Sequence, residues 1–204
     1  MRQGDLSANS STQGRLDIMN DYNYCIRRKV FAFLGAKFHV YDSENRLIGY
    51  CHQKAFKLKE DIRCYTDESK QVELINIQAR NIIDFSACYD VFDSASGVLL
   101  GSWRRKGFSS MFRDKWQLLD CYGNLVAELN EDNVFLALFR RLVSNLLPQE
   151  YVLGSPDAPL ATYSQFFNPF VFKLAVRLSP QCQYHPYLLL AGGVLLAAIE
   201  GRQN

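Results

Sequence analysis

Tyr187-Leu188-Leu189-Leu190-Ala191-Gly192-Gly193-Val194-Leu195-Leu196-Ala197-Ala198-Ile199 contains no charged side chain. As a helix it is apolar on every face, and such a helix must be surrounded on all sides, by a protein core or by lipid. Length separates the two. Crossing a bilayer takes roughly 20 apolar residues, whereas this run is bounded by Pro186 before it and Glu200-Gly201-Arg202 after it. Ala191, Gly192, Gly193, Ala197 and Ala198 keep the cylinder slim, as insertion into a tube of fixed bore requires. The expectation is a core helix, with Leu189, Leu190, Gly192, Gly193, Leu195, Leu196 and Ile199 filling a barrel. Insertion of the same helix into a bilayer is the alternative.

The wall of that barrel is written upstream as one recurring unit: a short alternating run, a polar turn and a second alternating run. Residues 37–41 lead through Asp42-Ser43-Glu44-Asn45 into 46–50, and residues 61–65 through Asp67-Glu68-Ser69-Lys70 into 72–75. Residues 89–92 turn at Asp93-Ser94-Ala95-Ser96-Gly97 into 98–101, and residues 116–119 at Asp120-Cys121-Tyr122-Gly123-Asn124 into 125–129. Residues 151–153 turn at Gly154-Ser155-Pro156-Asp157 before 160–163. Asp and Ser side chains bond forward to backbone amides and start such turns, and Gly or Asn supplies the positive φ that leaves them. Alternation buries every second residue on one face. With a first strand near 24–30 and a last near 170–178, the chain holds about twelve strands. An open sheet of that size exposes two unpaired edges, so closure is the better solution. The fold class is mainly β: a closed antiparallel barrel of about 12 strands around the C-terminal helix.

One further segment breaks the period of two. From Asp132 or Asn133 as N-cap to the stop at Pro148, apolar residues recur at helical spacing with Arg140 and Arg141 on the wet side. That pattern predicts an amphipathic surface helix over 133–147. Residues 1–21 are polar and read as a disordered tail; 22–204 form one barrel domain.

Composition is that of a globular protein, with 48% hydrophobic and 22% charged residues in a chain of 204. A net charge of +2 is too near neutral to point to nucleic acid. The six cysteines are widely spread, with no zinc-type spacing. The polar N-terminus lacks the pattern of a secretory signal. The expectation is a cytoplasmic protein with reduced, mostly buried thiols and no metal or other cofactor.

Arg28-Lys29-Val30-Phe31, Phe38-His39-Val40-Tyr41-Asp42, Gly49-Tyr50, Tyr89-Asp90-Val91, Trp116 and the terminal helix come in an order that resembles the tubby-like superfamily. Within it the chain is most similar to the LURP-one-related and phospholipid scramblase-like branch, in particular to its bacterial members. The resemblance implies a closed barrel threaded by its last helix and a non-enzymatic role. Tubby proteins bind phosphoinositides, and scramblases are linked to lipid movement and calcium. The palmitoylated cysteine cluster of scramblases has no counterpart here. Their acidic calcium-binding segment is replaced by Ser179-Pro180-Gln181-Cys182-Gln183-Tyr184-His185, which lacks a carboxylate. That argues against calcium-dependent scrambling.

No nucleophile motif, phosphate loop or dinucleotide fingerprint occurs, and His39, His52 and His185 have no ligand or nucleophile spacing beside them. Carboxylates cluster where turns need them. The remaining feature is basic. Arg104, Arg105, Lys106, Phe108, Arg113 and Lys115 mix cations with aromatics, as a loop lying on an anionic membrane does. The expected function is a non-catalytic binding or scaffold barrel, meeting anionic phospholipid or a phosphoinositide surface, or a protein partner, peripheral to the membrane. The alternative is a scramblase-like lipid transporter with its last helix in the bilayer.

Overall fold

A computed structural model describes residues 23–29, 36–53, 61–83, 86–106, 115–131, 149–166 and 171–199. The first strands are β1 (Tyr24–Lys29), β2 (Ala36–Asp42), β3 (Leu47–Gln53), β4 (Ile62–Tyr65), β5 (Glu73–Ile83) and β6 (Ser86–Asp93). They are followed by β7 (Leu99–Lys106), β8 (Lys115–Leu119), β9 (Leu125–Glu131), β10 (Gln149–Ser155), β11 (Ala158–Phe166) and β12 (Val171–Leu178). One helix, α1 (Pro186–Ile199), ends the described chain. Every strand pairs antiparallel with its sequence neighbours, and β1 pairs with β12 from Tyr24 opposite Val176 to Lys29 opposite Val171. The sheet has no free edge. The predicted barrel and its central helix are both present.

The turns form as their residues dictate. The Asp42 carboxylate accepts from the amides of Glu44 and Arg46 at 3.0 and 2.9 Å, and that of Asp120 from Tyr122 and Asn124 at 2.9 and 2.8 Å. Asp67 and Asp93 take the amides of Ser69 and Ser96 in the same way, at 2.7 and 3.1 Å. Gly97 and Gly123 leave their turns at φ of 69° and 88°. Each of the five hairpins also carries a bulge beside its turn, for example between Val91 and Phe92 and between Leu118 and Leu119. A bulge adds local twist, and twist is what curls a sheet toward closure.

Because all twelve strands alternate in direction, these hairpin turns share one mouth of the barrel. The link from β12 to α1 lies there too, so the helix enters by this turn mouth and ends at the opposite one, the far mouth. Ile26, Phe38, Val40, Ile77, Val91, Leu118, Leu153, Leu174 and Val176 face inward and are almost wholly buried. Each such side chain contributes about 1.5–3 kcal/mol relative to exposure. They close on α1, which is buried from Leu188 to Ala198. Among the described residues, no helix is long and apolar enough to cross a membrane.

One expectation is corrected. Cys51 on β3 and Cys64 on β4 are joined as a disulfide rather than kept as thiols. They stand directly opposite in the ladder, with Cα atoms 4.2 Å apart and both side chains in the core. The physical reason is register: a pair this far apart in sequence meets only once β3 and β4 align. Cys25, Cys88, Cys121 and Cys182 remain free; Cys25 alone of them is buried, Cys88 and Cys182 are half-buried and Cys121 stands exposed in its turn, so the expectation of mostly buried thiols is corrected too. The expected tail over 1–21 and surface helix over 133–147 lie outside the described residues, as do Phe108 and Arg113.

Candidate functional site

The helix is pinned at both ends by polar groups that project from the wall. His185 caps its start, accepting the Tyr187 amide at Nδ1 (3.2 Å), while Pro186 occupies the first helical position, where no amide proton is needed. Trp103 of β7 donates its indole N–H to the Leu188 carbonyl at 2.8 Å, and Tyr163 of β11 donates its hydroxyl to Leu189 at 2.9 Å. Burial pushes the Tyr163 phenol far above its ordinary value, so it stays a donor. Gly192 and Gly193 explain themselves against this wall. A Cβ on Gly192 would lie closer than 3.0 Å to three carbons of the Trp103 ring, and one on Gly193 would lie 2.8 Å from Ile26 Cδ1. At the far mouth the Arg28 guanidinium, itself buried, donates to the Ala197 carbonyl at 3.0 Å. It satisfies an orphan carbonyl and places a cation at the negative end of the helix dipole. Leu189, Leu190, Gly192, Gly193, Leu195 and Leu196 are all buried along α1; the Ile199 side chain lies outside the described set.

The predicted basic stretch is divided by the pleat. Arg104 lies on the outer face and is half-buried, its Nε and NH2 donating to Gln117 Oε1 at 3.0 and 2.7 Å. Gln117, buried on the same face, donates in turn to Glu128 at 2.5 Å. This chain runs across β7, β8 and β9 at matched register. Arg105 has the other orientation: its ladder partners Ala87 and Trp116 belong to the core, and its guanidinium stands 6.0 Å from the Trp116 ring. Lys106 is exposed at the end of β7, and Lys115 is its direct ladder partner at the start of β8. Sequence inspection missed the anchors Arg28, Trp103 and Tyr163, and the opposition of the two lysines. The last follows from register: β7 ends at Lys106 and β8 begins at Lys115, so the connection between them sets the two opposite each other.

The turn mouth has the opposite sign. Asp42 and Arg46, then Asp67, Glu68, Asp93 and Asp120, crowd its hairpins, and His39 pairs with Glu68 at 2.8 Å. Backbone and side-chain donors hold four of these carboxyls below their ordinary value: the Arg46 amide for Asp42, Ser69 for Asp67, Ser96 for Asp93 and Asn124 for Asp120. No group of three or more metal-binding side chains converges among the described residues.

A closed twelve-strand barrel wrapped around an apolar helix fits the tubby-like class. Within that class, the model of the LURP-one-related family matches residues 22–151, and the chain belongs to this family. The match ends in β10, so β11, β12 and the helix that complete the barrel lie beyond it. No curated protein and no solved structure matches the chain.

Proposed function

We propose that the barrel is a cytoplasmic, non-catalytic binding module, peripheral to the membrane, whose far mouth meets an anionic phospholipid or phosphoinositide surface. The observation that carries this reading is the Lys106–Lys115 opposition, which an anionic headgroup relieves. Sequence composition supports it. Ten of the 14 Phe, Phe31, Phe56, Phe108 and Phe135 among them, fall in segments that connect strands at this mouth, and none falls in the turn-mouth connections. Aromatic side chains beside cations suit the headgroup layer. The scramblase-like alternative would require withdrawing α1 from a wall that hydrogen-bonds its carbonyls at both ends. A buried Cys51–Cys64 bond is compatible with the cytoplasm, because exchange needs a reductant to reach the sulfurs.

Vesicle sedimentation tests the reading, with neutral phosphatidylcholine against the same lipid carrying phosphatidylserine or a phosphoinositide. Binding to the anionic vesicles alone is expected. Each cation near such a surface contributes about 1 kcal/mol, so Lys106→Gln with Lys115→Gln should weaken binding roughly 30-fold. Equal, negligible sedimentation with every vesicle would sink the proposal.

A further inference from the structure

Five large hydrophobic side chains stand exposed among the described residues, and all five are at the turn mouth: Leu47, Val72, Val98, Tyr122 and Leu125. Their exposure is substantial, reaching 55% at Val72, 56% at Val98 and 88% at Tyr122. A single exposed apolar residue needs no explanation, but five set along one rim, exposing on the order of 500 Å² between them, form an arc rather than a scatter. They belong to four hairpins that are consecutive around the barrel, from β2–β3 to β8–β9. The first three of these hairpins are tied to one another. Ser94 donates its amide to the Leu74 carbonyl at 3.1 Å and its hydroxyl to Glu73 at 2.9 Å, and the Lys70 ammonium stands 5.8 Å from the Tyr50 ring. Their turns are closed from within by Asp side chains, so the apolar arc is presented on a preorganised frame, which lowers the entropy lost on binding.

Charge decides what such an arc can hold. The four turns carry six carboxylates, Asp42, Glu44, Asp67, Glu68, Asp93 and Asp120, against Arg46 and Lys70. An anionic bilayer is repelled by that surface. A second copy docking face to face would set the same negative arc against itself, since a two-fold interface pairs a patch with its own image. We propose that the arc docks a basic protein segment whose apolar side chains seat on Val72, Val98 and Tyr122 while its cations face the turn carboxylates. This goes beyond the lipid reading, which concerns the opposite mouth, and stands or falls separately from it.

The test is fluorescence anisotropy on the full chain with three labelled synthetic peptides: an amphipathic Lys/Leu helix, a Lys/Ser peptide of equal charge, and a Glu/Leu helix. Binding of the Lys/Leu peptide at least tenfold tighter than either control is expected. The triple variant V72S/V98S/Y122S, altered only at exposed side chains, should lose that preference with an unchanged melting temperature. Equal binding of the two Lys peptides, or an unaltered Kd in the triple variant, would overturn the proposal. So would a triple variant that loses vesicle sedimentation or a concentration-dependent dimer, because the arc would then belong to lipid or to a second copy.

Discussion

Trp103 and Gly192 act as one unit: the indole occupies the volume that any side chain at 192 would need, and its N–H reaches the helix four residues earlier. Gly192→Leu or Gly193→Leu therefore overpacks a full bore, at about 1–3 kcal/mol or more. Calorimetry should show a melting temperature lower by about 5 °C in a domain this size; an unchanged value would mean the helix does not sit against Trp103. The turn carboxylates set a second residue-scale expectation. Asp42, Asp67, Asp93 and Asp120 have lowered folded values, so each stabilises the fold fully above the unfolded carboxylate value of about 3.9 and loses that effect as pH falls through its folded value. The melting temperature should hold from neutral pH to about 5 and fall below about 4. Asp120→Asn should flatten part of that fall, and a curve parallel to the parent's would refute the linkage.

At the scale of the element, the hairpins were legible because their signals are local: Asp at the entry, Gly or Asn at the exit and alternation on each side all act within a dozen residues. What joins distant elements was not. Arg28 reads as one of three basic residues in a row, yet its guanidinium closes the last turn of a helix 169 residues away. Arg28→Met keeps the apolar stem and leaves the Ala197 carbonyl buried without that donor, which should cost about 1–3 kcal/mol in urea unfolding. The Cys51–Cys64 bond was hidden for the same reason, because register and not spacing creates it. Maleimide labelling of the denatured chain should count four thiols without reductant and six with it. Replacing both cysteines with Ala should cost about 3 kcal/mol on the loop-entropy model. Six thiols without reductant would show the bond absent.

For the whole molecule, the two mouths differ in character although the wall between them is uniform. The basic stretch around 104–115 was visible in the sequence as composition, but the pleat reassigns its members: Arg104 to a polar chain across the outer face, Arg105 to the interior, Lys106 and Lys115 to the rim. Which side a residue faces depends on strand boundaries to within one position, and boundaries are the least local feature of a barrel. The pairing of β1 with β12 has one more consequence. Residues near 26 find one set of partners near 40 but the other only near 174, and the interior they line is filled by a helix later still. A growing chain leaving the ribosome therefore carries an open sheet with an unfilled interior until β12 and α1 emerge. Closing and filling the barrel both wait for residues 171–199, and a cut before Pro186 removes the centre of the molecule rather than trimming an edge.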